Sequence, residues 1–99
     1  MLCLPCGLRL SQQPEGFESL LAAAQEAQSR SDFQAAAEYY RKAVALHPEI
    51  PELRTNLGLM YYQTEKDEQA AVAFREALRL KPESAEARRA FDSIGASLK

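Results

Sequence analysis

The chain has 99 residues, of which 46% are hydrophobic and 26% are charged, a composition typical of one folded domain and not of a disordered segment. A formal net charge of −2 and a pI near 5.4 argue against a general binder of nucleic-acid phosphates, because such proteins are normally basic. No apolar run approaches the roughly 18 residues of a membrane-spanning helix, so we expect no integral membrane span.

Residues 1–13 precede the first predicted helix and allow three interpretations. Cys3 and Cys6 form a C-x-x-C pair, which suits a redox pair or half of a metal site, but the remaining ligands of such a site are not evident. The segment also suits a flexible apolar tail, or the remnant of a secretory signal. We predict no metal site and no cofactor. The localisation stays open: cytoplasmic by default, and exported if the tail derives from a signal sequence.

Five helices are predicted from apolar periodicity and from helix start and stop signals. The expected ranges are about 14–30, 33–46, 51–63, 67–80 and 85–98. Pro14 suits the first turn of a helix, and Asp32 and Ser84 suit the N-caps of the second and fifth helices. Pro48 and Pro82 end the second and fourth helices, because proline disfavours the α conformation in the residue before it. The predicted fold class is all-α.

Two stretches of the chain repeat each other at a fixed spacing. The sequence AAEYYRKAVALHP at 36–48 aligns with AAVAFREALRLKP at 70–82, so that Ala36 matches Ala70 and Tyr40 matches Phe74. Small residues suit a close crossing of two helices, and an aromatic ring fills the space between neighbouring units. A fixed period of this length indicates a stacked array of helical units.

This pattern resembles the tetratricopeptide repeat, a helix–turn–helix unit whose length equals the spacing between the two stretches. The resemblance implies an α-solenoid of stacked antiparallel helix pairs with a right-handed superhelical twist. It divides the chain into a tail (1–13), a first unit (14–50), a second unit (51–84) and a capping helix (85–99). The positions expected to carry the repeat packing are Leu20, Ala24, Ala36, Tyr40, Ala43, Pro48, Leu57, Gly58, Tyr61, Ala70, Phe74, Ala77, Pro82 and Phe91.

Three details of the units lead to further expectations. Gly58, inside the third helix, costs roughly 1 kcal/mol relative to Ala, so we expect it to permit a close helix contact. Glu65 opens a turn in which the family commonly has Gly-Asp-aromatic. Asp92 takes the place of Ala24 and Gly58 in a fifth helix with one narrow apolar stripe, as expected for a solvating cap.

The resemblance implies a protein–protein interaction module, a scaffold or adaptor that binds a peptide or a partner helix in its concave groove. In the family, the first helix of each unit forms this surface. Carried onto this sequence, the groove is lined by Glu18, Leu21, Gln25, Gln28, Glu52, Thr55, Asn56, Leu59, Tyr62, Glu86, Arg89 and Ser93.

The charges of this surface bear on the kind of partner. Glu18, Glu52 and Glu86 recur at the repeat spacing and are expected to form an acidic row along one rim, although the helix dipole alone also favours acids in a first turn. Family members that grip acidic chaperone tails use a clamp of Lys, Asn, Asn, Lys and Arg. The matching positions here are Leu21, Gln25, Asn56, Glu86 and Ala90. Since only the second Asn agrees, we predict a neutral or basic amphipathic partner.

Two other classes of function were compared with this one. The chain could serve a structural role, as a homo-oligomer or as part of a larger solenoid, with Leu20, Leu21 and the apolar tail as contacts. An enzyme is not predicted, because the sequence has no Ser/His/Asp set, no H-E-x-x-H and no Gly-rich phosphate loop.

Overall fold

The structure, a computed structural model, describes residues 16–98, which form five α-helices and no β-strand. The helices are α1 (Phe17–Ser29), α2 (Phe33–Leu46), α3 (Pro51–Gln63), α4 (Asp67–Leu80) and α5 (Ala85–Leu98). The predicted ranges of α2 to α5 are confirmed. The predicted start of α1 is wrong: the helix begins at Phe17, because Gly16 before it has extended backbone (φ −79°, ψ 160°).

The helices form an array in which each packs against the next one in the chain. α1 contacts α2, α2 contacts α3, α3 contacts α4 and α4 contacts α5, and the one further contact between described helices joins α3 to α5. The resulting shape is elongated, with extents of 55 × 25 × 17 Å. The predicted all-α array of stacked helix pairs is thereby confirmed. None of the helices within residues 16–98 is long and apolar enough to cross a membrane.

The turn between α1 and α2 is built again, one repeat later, between α3 and α4. The Asp32 N–H donates to the Ala27 carbonyl at 2.8 Å, and the Lys66 N–H donates to the Tyr61 carbonyl at the same distance. Ser31 and Glu65 take the left-handed conformation in these turns, each with φ of 61°. This region favours glycine, so Ser31 and Glu65 each carry a steric cost in these turns.

Side-chain caps hold the start of two helices. The Asp32 carboxylate accepts a hydrogen bond from the Ala35 N–H, and the Ser84 hydroxyl accepts one from the Ala87 N–H, both at 3.3 Å. Both predicted N-caps are confirmed. They satisfy backbone donors that the first turn of a helix leaves unpaired.

The core of the array combines many small alanines with larger aliphatic side chains and two buried aromatic rings. The alanines at the predicted packing positions are fully buried: Ala24, Ala36, Ala43, Ala70 and Ala77. Phe74 of α4 is also fully buried and lies against Gly58 of α3, where an ideal Cβ would come within 2.7 Å of the ring atom Cε1. The expected close contact at Gly58 is confirmed, because a side chain of any size would collide with the ring.

Four members of the predicted packing set, two helix-ending prolines and two aromatic residues, are not fully buried. Pro48 and Pro82 are exposed, so they act on helix ends rather than in the core. Tyr61 and Phe91 are partly buried, and Arg75 lies over the Phe91 ring at 5.9 Å from its centroid. The remaining members, Leu20, Tyr40 and Leu57, are buried.

Gly58→Ala is expected to lower the free energy of unfolding by up to about 2 kcal/mol. Overpacking against Phe74 costs about 1–3 kcal/mol, which outweighs a gain of about 1 kcal/mol in helix propensity. Gly95→Ala in α5 is the matched control, because an added Cβ there meets nothing within 4 Å. That change should stabilise the chain by up to about 1 kcal/mol. Urea denaturation measures both; equal stabilisation by the two changes would contradict the close α3–α4 contact.

Ser31→Gly and Glu65→Gly are each expected to raise the free energy of unfolding by about 0.5–1 kcal/mol, because glycine adopts the left-handed conformation without steric cost. Lys42→Gly, at an exposed site inside α2, is the control and should lower it by about 1 kcal/mol. Thermal and urea denaturation give the comparison. Destabilisation at both turn positions would show that the turns differ from those described.

Candidate functional site

A small cavity lies between α3 and α5 and brings three predicted groove residues together. Leu59 and Tyr62 of α3 line it with Ser93 of α5, and its volume is about 130 Å³. Ala90 completes the wall, and the buried side chains of Phe74 and Ile94 lie beneath. Tyr62 is 43% exposed, so part of its ring is available to a partner.

The other predicted groove residues differ in how much of them reaches the surface. Leu21 and Asn56 are partly buried, and Leu21 packs against the core. The exposed members are Glu18, Gln25, Gln28, Glu52, Glu86 and Arg89. The predicted groove residues on α1, α3 and α5 are therefore mostly polar or charged, and among the described helices α1 packs against α2 and not against α3 or α5.

Thr55 is a correction to the predicted groove. Its side chain is only 4% exposed, and its hydroxyl donates to the Pro51 carbonyl at 3.2 Å, one turn earlier in α3. A threonine that bonds its own helix in this way needs no water and can be buried. Leu20, a predicted contact for a second copy of the chain, is likewise buried and not available for that role.

Of the three glutamates that recur at the repeat spacing, Glu18, Glu52 and Glu86, one has a basic partner. The Glu52 carboxylate lies 3.5 Å from the Lys81 ammonium, while Glu18 and Glu86 form no ion pair within residues 16–98. Exposed pairs of this kind contribute little to stability, so Lys81 can exchange its carboxylate for a partner's group at small cost. Glu18 and Glu86 keep their charge available.

Gln28 is held by the second helix of its own unit. The Tyr40 hydroxyl donates to Gln28 Oε1 at 3.2 Å, which links α2 to the surface formed by α1. Burial of the ring raises the pKa of Tyr40 above its ordinary value of 10.0. The neutral phenol, which is the hydrogen-bond donor, is therefore the form that the folded chain favours.

A second, larger cavity lies between α2, α3 and α4, and no sequence pattern predicted it. Its volume is about 400 Å³. It is lined by Arg41, Val44, Arg54, Leu57, Tyr61, Glu68, Gln69, Val72 and Ala73. A signal does exist in the repeat: Arg54 stands at the position of the buried Leu20, and Val72 stands at the position of the exposed Glu38.

Metal and catalytic sites are not evident in the part of the chain that the structure describes. No cluster of three or more His, Cys, Asp or Glu side chains suited to a metal ion occurs there. Cys3 and Cys6 lie outside the described residues. His47 packs its ring against Phe17, with centroids 4.5 Å apart, and lies 3.2 Å from the Glu49 carboxylate.

A known family shares this geometry. Its features are paired helices, a turn that recurs at the period of the sequence, and a small residue facing a buried ring. A family model described as tetratricopeptide repeat matches residues 21–85, which is more than half of the chain. The chain belongs to the tetratricopeptide repeat family. Tetratricopeptide repeats are protein–protein interaction modules and in general non-catalytic scaffolds. This chain therefore carries such a module in the matched residues, from Leu21 in α1 to Ala85 at the start of α5.

Tyr40→Phe is expected to lower the free energy of unfolding of this tetratricopeptide repeat protein by about 0.5–1.5 kcal/mol, because the hydrogen bond to Gln28 is lost. A raised pKa contributes stability below the ordinary value of 10.0, and that stability disappears as the pH rises through the folded value. The parent chain should therefore lose more stability above pH 10 than Tyr40→Phe does. Urea denaturation at several alkaline pH values tests this, and an identical pH dependence would refute it.

Proposed function

We propose that the chain binds a neutral or basic amphipathic peptide, or a partner helix, on the surface formed by α1, α3 and α5. The observation that carries the proposal is the α3–α5 cavity. There Leu59 and Tyr62 lie beside the side chains of Phe74 and Ile94, which are buried in the packed core. A site on packed helices is present before a partner arrives, which reduces the ordering cost of binding.

The size of this cavity favours a side chain of a protein partner over a free small molecule. At about 130 Å³ it is smaller than the roughly 300–1,000 Å³ of small-molecule sites. A half-exposed tyrosine next to it is the residue type that most often anchors protein interfaces, because its ring gives apolar contact and its hydroxyl stays wet. One apolar side chain of the partner is expected to enter beside Tyr62.

The charges around the cavity favour a partner that is not acidic. Glu86, one helical turn before Ala90 of the cavity wall, is exposed without an ion pair in the described residues, so it attracts basic groups and repels carboxylates. Glu18, exposed on α1, adds a negative charge away from the cavity. At the clamp positions, Glu86 is acidic and Ala90 lines the cavity wall without any charge. Both features support a partner unlike the acidic tails that chaperone-binding members of the family hold.

Leu59→Ala combined with Tyr62→Ala is expected to weaken binding of groove-directed peptides by about tenfold or more, because both apolar anchors are removed. The peptides come from a displayed library of random sequences of about 12 residues selected on the immobilised full chain. Fluorescence polarisation then measures affinity. Leu46→Ala is the control, because Leu46 is also an exposed apolar residue but lies at the end of α2, outside the proposed surface. If no selected peptide were weakened by the double change, the proposed groove would be wrong.

Glu18→Gln combined with Glu86→Gln is expected to weaken basic peptides by a few-fold at low salt and less at high salt, because screening shortens the reach of these charges. Stability should stay nearly unchanged, since both side chains are exposed. Affinities of matched basic and acidic peptides at two salt concentrations give the test. Tighter binding of the acidic peptides to the parent chain would contradict the proposed specificity.

A further inference from the structure

The larger cavity, between α2, α3 and α4, has the size and the lining of a binding site. Its volume of about 400 Å³ falls within the range of roughly 300–1,000 Å³ that ligand sites occupy. Val44, Leu57, Val72 and Ala73 give it apolar walls, with Tyr61 beside them. Val72 is 53% exposed, so the apolar surface opens to solvent. Together with the neighbouring apolar walls, Val72 gives an apolar surface at which a partner's side chain could be buried.

Arg54, in the wall of this cavity, carries a polar atom that the described residues leave unsatisfied. Its Nε is buried and has no hydrogen-bond partner, and Arg54 forms no ion pair within residues 16–98. A buried donor without a partner costs free energy, and the cost is greater for a charged group. The first unit avoids this cost, because it has Leu20 at the equivalent position.

The other charged side chains of the lining do not compensate Arg54. Arg41 is bonded to the Glu38 carboxylate, and this bond holds the pKa of Glu38 below its usual range. Glu68 also lines the cavity, yet the ion pairs of the described residues do not include it. Arg54 therefore keeps a donor at Nε that no described residue satisfies, and a carboxylate is the complementary group for a guanidinium.

We propose that this cavity is a second docking site, which takes a helical peptide segment with a large apolar side chain and an Asp or Glu one turn away. The apolar side chain packs against Val44 and Val72, and the carboxylate pairs with Arg54. Residues three or four apart share one helix face, so a single amphipathic segment can supply both groups. Leu59 and Tyr62 project from a different face of α3, and the two sites therefore bind independently.

The test uses the displayed library of random peptides of about 12 residues, selected on the full chain in which Leu59 and Tyr62 are both Ala. Selected peptides should share a large apolar residue and an acidic residue three or four positions apart. Fluorescence polarisation should show that Arg54→Gln weakens them about tenfold, with Arg54→Lys in between, because a lysine keeps the charge and loses the planar fork.

Val72→Glu is the companion variant, because it places at this site the residue type that the first unit has as Glu38. It should abolish binding of the same peptides, because it removes an apolar contact and adds a second carboxylate to that of Glu68 in the lining. Val72→Ser should weaken them less, because it removes the contact alone. Circular dichroism verifies that each variant is folded.

Two results would overturn the proposal. One is a selection that yields no peptide sensitive to both Arg54→Gln and Val72→Glu. The other is a set of sensitive peptides without an acidic residue, which would mean that solvent satisfies Arg54 and that the cavity recognises apolar groups only. Neither result bears on the surface of Leu59 and Tyr62, since that surface is disabled in the selecting chain.

Discussion

The contact between Gly58 and Phe74 is the constraint on which the second half of the array depends. With no Cβ on Gly58, the ring of Phe74 lies directly on the backbone of α3, and α4 is held close to α3. The same ring forms the floor of the cavity between α3 and α5, where Leu59 and Tyr62 reach the surface. Phe74 therefore contributes both to the packing of α4 on α3 and to the candidate site. A shift of this ring would change the helix spacing and the shape of the proposed peptide site together.

The two complete units share the backbone structure of their turns and differ in several of their side chains. The turns at Ser31 and Glu65 have the same backbone conformation and the same backbone hydrogen bonds. The first unit places Tyr40 where the second has Phe74, and its hydroxyl binds Gln28 on the surface of α1. Arg54 and Val72 have no counterparts of their kind in the first unit. Leu59 and Tyr62 of the α3–α5 cavity stand at the positions of Gln25 and Gln28 in the first unit. Both candidate sites thus lie at departures from the repeat, as expected when a common fold carries a particular function.

Much of the fold could be predicted from the sequence. The fixed repeat period indicates stacked helical units, and the helix-ending prolines place the ends of two helices at the same position in both units. The start of α1 could not be predicted, since Pro14 and Gly16 are competing signals close together in the chain. The burial of Thr55 could not be predicted, because polar side chains mostly lie at the surface, whereas the Thr55 hydroxyl bonds within its own helix. The α2–α3–α4 cavity depends on how three helices meet, which no single helix pattern contains.

The most direct measurement of the Gly58–Phe74 contact is a nuclear Overhauser spectrum of the isotope-labelled chain. We expect strong cross-peaks between the α protons of Gly58 and the ring protons of Phe74, together with an upfield ring-current shift of the nearer α proton, because the ring occupies the place of a Cβ. A spectrum in which these cross-peaks are absent, with the Gly58 protons at the shifts of an ordinary helical glycine, would contradict the packing that joins the array to its proposed binding surface.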